Sequence, residues 1–211
     1  MATEREAAST KDRLVEAARA LFLRNGYEST GVAEILETAG ARSGSLYYFF
    51  KRKEDLLLAV LDRYVELLHP VVLDPVFERV ADPIDRVFAV LSGYRKMLIA
   101  TDCAQGCPIG NLALEMSEKS EAVREKVVLN FENWRKAIRA CLMEAGPKLP
   151  ADIDRDGLAT FILTVMEGGV MQARAHRNVE PFDASVAMLR DYFARILSAN
   201  MGPEGQEGGD K

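Results

Sequence analysis

The sequence predicts an all-α protein, with three short helices at the N-terminus arranged as a helix-turn-helix and a larger helical body after them. Three observations lead there. Apolar residues recur at helical spacing through nearly all of the 211 residues. No stretch alternates strictly between apolar and polar positions, so no strand is expected. Glycine, proline and small polar residues fall where most of the periodic runs begin and end.

The first helix is expected from Thr10 to Asn25, where Leu14, Ala17, Ala18, Leu21 and Phe22 repeat at i, i+3, i+4, i+7 and i+8, and Gly26 ends it. A short second helix starts at Thr30, read as its N-cap, buries Val32, Ile35, Leu36 and Ala39, and stops at Gly40. The third runs from Arg42 or Ser43 to Phe50. A fourth starts near Lys53, carries Leu56, Leu57, Val60, Leu61 and Tyr64, and ends around His69–Pro70.

The body follows the same logic. Asp82 and Pro83 supply an N-cap and a first-turn proline ahead of a stripe of Ile84, Val87, Phe88, Leu91 and Leu98. Pro108 opens a short helix through Met116. Ser120 caps a long helix bearing Val123, Val127, Phe131, Trp134, Ile138 and Cys141, which ends at Gly146–Pro147. The next, from about Asp154 to His176, buries Leu158, Phe161, Ile162 and Val165. The last starts at "PFD" with Asp183 as cap and Phe182 as staple, and continues through Val186, Leu189, Phe193, Ile196 and Leu197. Gly168 and Gly169 sit mid-helix, where each costs about 1 kcal/mol relative to alanine, so a close helix–helix approach is expected there, within the chain or between copies. The expected domains are 1–55, 56–199 and a Gly-rich polar tail over 200–211.

Composition bounds the rest. The chain is 48% hydrophobic and 28% charged, enough for a sizeable core. No apolar run approaches the roughly 18 residues a membrane span needs, and the polar start "MATEREAAST" does not read as a secretory signal. Three cysteines, an odd number, point to a reducing cytoplasm rather than a disulfide scaffold. The net charge is −5, but residues 1–55 hold nine basic and nine acidic residues and net to zero. The acidic excess therefore lies elsewhere, which leaves room for a local basic face in the first quarter. Neither G-x-S-x-G, a phosphate loop nor HExxH is present, and two histidines leave few bases, so an enzyme is not expected.

The stretch "AGARSGSLYYFFKRKEDLL", residues 39–57, is the informative one. Leu46, Phe49 and Phe50 fall together at i, i+3 and i+4 and can face a core. Arg42, Ser43, Ser45, Tyr47 and Tyr48 are then left on the outside, an aromatic and cationic surface that duplex DNA would suit. Gly44 and Ser45 are small enough for close backbone approach, and Arg42 can donate two hydrogen bonds to guanine. Tyr47, Tyr48, Lys51 and Lys53 can reach phosphates at the rim, as can Thr30 at the start of the second helix.

"YESTGVAEILETAGARSGSLYYFFKRKEDLL" resembles the DNA-binding domain of TetR-type (TetR/AcrR) transcriptional regulators. Gly40, Gly44, Ser45, Leu46, Tyr47, Phe50, Lys53, Glu54 and Leu56 stand at the matching places, and the likeness spans about residues 10–57. "GCPIGNLALEMS", residues 106–117, resembles a stretch in one branch of that family. Ala41 and Arg42 stand where Val and Ser are usual, Tyr48 where His is frequent and Gly31 where Thr or Ser is common, so base preference does not follow. The resemblance implies a ligand-responsive repressor. It would bind a palindromic double-stranded DNA operator as a homodimer built from its last two long helices, and a small-molecule inducer would release it. No cofactor, metal or membrane is implied. Candidate inducer-lining residues are Tyr94, Met97, Cys107, Asn111, Glu115, Trp134 and Met166. Two alternatives stay open: a thiol-based redox or electrophile-sensing repressor using Cys103 and Cys107, and a nucleoid protein that binds DNA without a ligand.

Overall fold

The computed structural model describes residues 9–200, so the tail expected over 200–211 lies, beyond Asn200, outside the described residues. Among the described residues there is no strand. The helices run in the order α1 (Thr10–Asn25), α2 (Val32–Thr38), α3 (Ser45–Phe49), α4 (Lys53–Leu67), α5 (Asp74–Phe77), α6 (Pro83–Ala100), α7 (Pro108–Met116), α8 (Glu121–Glu144), α9 (Arg155–His176) and α10 (Glu180–Asn200). They gather into two compact units. One comprises the chain through His69 together with Gln105–Glu132; the other comprises Pro70–Ala104 and the chain from Asn133 onward. The first unit is thus larger than the 1–55 expected, because α4, α7 and the first half of α8 pack with it.

In the first unit the apolar faces of α1 and α4 meet, and Leu14, Leu21, Phe22, Leu56, Leu57 and Leu61 are buried there. Their polar margins are tied as well. Arg63 reaches Asp12 (3.3 Å), Glu16 (3.2 Å) and Glu66 (2.9 Å), and the Arg19 guanidinium lies 5.8 Å from the Tyr64 ring. Asn130 Nδ2 donates to the Leu61 carbonyl at 3.1 Å, and Lys126 pairs with Asp62.

The second unit is built on α9 and α10, with α6 against both. Phe88 meets Phe193 edge-on at 5.5 Å, and the Arg190 guanidinium sits 4.1 Å from the Phe88 ring centre. Arg95 holds Asp183 through two bonds of 2.7 and 2.8 Å.

Most helix ends fall where residue chemistry places them. Gly26 closes α1 with φ +85° and donates its N–H to Phe22. Asp82 and Asp154 accept first-turn amides of α6 and α9, and Ser120 Oγ accepts the Val123 N–H. Four expected helix ends are corrected. The N-cap of α2 is Gly31, not Thr30. The third helix is five residues long, because Arg42–Gly44 form a turn closed by the Ser45 N–H on the Arg42 carbonyl. Beyond α4 the chain does not stop at His69–Pro70 but widens into a π-helical turn, Leu68–Leu73, that accommodates a proline lacking its N–H. The last helix starts at Glu180, capped by the Asn178 side chain, which leaves Asp183 free to take Arg95. Phe161, expected inside, is 48% exposed.

Gly169 explains itself within the chain: a Cβ there would lie 3.0 Å from Phe182 Cδ2 and 3.5 Å from the Phe182 backbone. Phe182 is almost wholly buried and cannot retreat. Gly169→Ala is expected to destabilise the protein by about 1–3 kcal/mol despite alanine's better helix propensity, measured by urea unfolding.

Candidate nucleic-acid interface

The outward surface of α3 depends on what lies behind it. Leu46 is fully buried and Phe50 nearly so, which fixes the rotation of the short helix. With those two inward, Tyr47 is 62% and Tyr48 82% exposed. Phe49, expected in the core, is partly exposed and stands edge-on to Tyr48 at 4.8 Å. On a five-residue helix, i and i+4 reach the core while i+3 stays at its margin.

The turn ahead of α3 is set by Gly40. Its φ of +57° lets the Ala41 N–H return to Leu36 and its own N–H to Glu37, the paired bonds that end a helix in a left-handed residue. Arg13 of α1 donates to the Ala39 carbonyl at 3.1 Å and holds the same turn from inside. Arg42, Ser43 and Gly44 are exposed, and Ser45 is half-buried.

The electrostatics follow from pairing. Asp12, Glu16, Glu28, Glu34, Glu54 and Asp55 each meet a cation, and all lie off α3. Asp55 also accepts the Arg52 N–H at 3.0 Å and so caps α4. Among the described residues Arg42 and Lys51 make no ion pair, so their charge is available to a ligand. The arrangement of two phenols, two exposed cations, two serines and a glycine around one short helix can donate to phosphate oxygens and to base edges at once.

Two expected members of the surface are elsewhere. Thr30 is buried, with its hydroxyl donating to the Gly26 carbonyl at 2.7 Å, so it closes the α1–α2 turn rather than facing outward. Lys53 bends back: its ammonium donates to the Tyr27 carbonyl and sits 4.2 Å from the Tyr27 ring centre. Burial holds the Lys53 pKa below the ordinary lysine range, against the opposing pull of the Glu28 and Glu115 carboxylates.

The residues expected around an inducer divide between the two units. In the second, Trp134 and Met166 line a small apolar cavity of about 20 Å³ with Leu91, Ile138, Cys141 and Ile162, room for one water. Tyr94 lies against Trp134 with centroids 5.8 Å apart, and Met97 is half-buried outside that cavity. Cys107, Asn111 and Glu115 belong to the first unit. Glu115 is not a cavity residue: its carboxylate accepts the Tyr27 N–H at 2.9 Å and the Glu28 N–H at 2.7 Å. No local pattern marks this role, because donor and acceptor lie 88 and 87 residues apart.

Cys103, Cys107 and Cys141 are all free and buried. Burial pushes the Cys141 thiol up, away from thiolate. Inaccessible thiols do not favour the redox-sensing alternative. Among the described residues no cluster of His, Cys, Asp or Glu could hold a metal, and no helix is long and apolar enough to cross a membrane.

A helix-turn-helix unit offering an aromatic and cationic helix, joined to a helical second unit, defines a DNA-binding regulator. Residues 14–60 match the family described as bacterial regulatory proteins, tetR family, and residues 83–188 match the C-terminal domain described as transcriptional regulator LmrA/YxaF-like. The chain is 30% identical over 181 residues to the HTH-type transcriptional repressor DhaR of Mycobacterium sp. (strain GP1), covering 85% of this chain and 89% of that protein. It is 28% identical to the HTH-type transcriptional regulator LmrA of Bacillus subtilis, covering 88% and 97%. A crystal structure of a regulatory protein TetR from Rhodobacter sphaeroides superposes with a TM-score of 0.78 at 26% identity, covering 89% and 98%. The chain belongs to the TetR family of bacterial transcriptional regulators and is not an enzyme.

Thr30→Val keeps the shape of the side chain and removes its hydroxyl. It is expected to lower stability by about 1–2 kcal/mol, read from the shift in urea midpoint, because the Gly26 carbonyl loses its partner.

Proposed function

We propose that this regulator is a cytoplasmic repressor that binds a palindromic operator as a homodimer and leaves it when a small molecule binds. The observation that carries the reading is the pair Tyr47 and Tyr48, two large aromatics exposed on a helix whose other side is buried. The phenols and Lys51 hold phosphates, and Arg42, Ser43, Gly44 and Ser45 lie against the base edges. The relative DhaR is a transcriptional repressor. Thr30 and Lys53 serve by fixing the turn and the fourth helix behind this surface.

The dimer reading rests on the second unit. An open groove along α9 and α10 is lined by Phe161, Val165, Gly168, Met188, Leu189 and Tyr192. Phe161, Met188 and Tyr192 are 48%, 67% and 41% exposed, an apolar strip that a second copy of the same two helices would cover. Gly168, with open space where a Cβ would stand, lets that copy approach closely. The inducer reading rests on the apolar cavity at Trp134 and Met166, which at about 20 Å³ must widen to take a compound. An apolar compound that prefers the opened form would shift the equilibrium by its difference in affinity for the two.

Selection of duplexes by the purified chain from a randomised pool tests the reading, with a palindromic consensus expected. A pool left unenriched would refute operator recognition. Within the enriched set, Tyr48→Ala and Lys51→Ala are expected to weaken binding to all sequences alike by about 1 kcal/mol each, with Lys51→Ala also lowering the salt slope by about one; Arg42→Ala is expected to relax preference at particular positions. Met188→Glu is expected to give a folded monomer by light scattering with operator affinity reduced at least about a hundredfold; a dimer of wild-type affinity would rule out the α9–α10 interface.

A further inference from the structure

The turn Gly26–Thr30, which joins α1 to α2, is held from three directions. Thr30 closes it locally through its hydroxyl on the Gly26 carbonyl and its N–H on the Tyr27 carbonyl. Lys53 grips that same Tyr27 carbonyl from the start of α4. The Glu115 carboxylate, from the last turn of α7, takes the two amides that face the other way, Tyr27 and Glu28, one on each oxygen. The site is shaped for it: Gly26 has φ +85°, and a Cβ there would lie 3.3 Å from Glu115 Oε2. One helical turn beyond Glu115, Lys119 pairs with the Glu28 side chain at 2.8 Å, and Ser120 donates to Glu54 at 2.6 Å. Two amides on one carboxylate form a directional contact. It exists only while both oxygens stay within hydrogen-bond distance, so a shift of α7 by about 1 Å breaks it.

We infer that Glu115 is a positioning residue for DNA reading: through the Tyr27 and Glu28 amides it sets the placement of α2 and α3, and movement of α7 changes operator affinity by releasing those two bonds. The inference rests on the operator-binding reading and deepens it, because it names the contact by which a change in the body reaches the reading helix. The covalent route is short. From Glu115 the chain passes through Ser120 directly into α8, whose later residues Trp134, Ile138 and Cys141 line the apolar cavity. Glu115 touches no DNA in this scheme; it acts through the turn.

The test uses the full chain and the duplex selected by wild type. Selection by wild type decides the operator reading beforehand, so the two can fail separately. Glu115→Ala removes both acceptors; Glu115→Gln keeps one and places an amide N–H against the other donor. Affinity for the selected duplex is expected to fall by about tenfold in Glu115→Ala and about threefold in Glu115→Gln, with binding to scrambled duplex unchanged. Amide hydrogen exchange, resolved by NMR, is expected to speed up at Tyr27, Glu28 and through α2, with α9 and α10 unaffected. A purely structural role would instead lower protection across the whole first unit and weaken specific and scrambled binding in proportion. If Glu115→Ala does not fold, Glu115→Gln decides alone. Wild-type exchange at Tyr27 and Glu28 in a folded variant, or wild-type operator affinity, overturns the inference, as does a parallel loss of both kinds of binding.

Discussion

Leu46 and Phe50, inserted behind α3, are the contact on which the exposed aromatic face of that helix depends. A five-residue helix has no stability of its own, since isolated helices need roughly 12–15 residues to be even marginal in water. Its orientation is therefore borrowed. The two buried side chains fix its rotation, and that rotation decides that Tyr47 and Tyr48 point outward while Phe49 stays at the edge. The surrounding bonds serve the same end, with Arg13 on the Ala39 carbonyl ahead of the helix and Asp55 capping α4 after it.

Charge is distributed by the same economy. The first 55 residues are neutral in sum, yet the exposed face around α3 is cationic, because Asp12, Glu16, Glu28, Glu34, Glu54 and Asp55 meet partners away from α3 while, among the described residues, Arg42 and Lys51 make no ion pair. The local count of unpaired cations decides what the surface can attract, and neither the net charge of −5 nor the neutral segment sum reveals it.

The helices were largely legible in the sequence. Periodicity placed α1, α6, α8 and α9 to within a few residues, because each buries a long apolar stripe with a recognisable end signal at Gly26, Asp82, Ser120 or Asp154. Short elements were less so. Arg42–Gly44 have no apolar residue to distinguish a turn from a first helical turn, and Thr30 and Gly31 are both acceptable caps until the Thr30 hydroxyl finds the Gly26 carbonyl. Within the candidate interface, the helical wheel placed Arg42, Ser43, Ser45, Tyr47 and Tyr48 outside; all but the half-buried Ser45 are exposed. Lys53 and Glu115 did not, since each turns to a backbone group of a turn distant in sequence, and no spacing rule connects them.

The burial of all three cysteines has a practical corollary for studying this protein. A cysteine introduced at an exposed position such as Ser43 or Lys51 would be the single thiol open to maleimide chemistry. Spin labels or dyes could then be attached beside α3 without first stripping the native sulfurs.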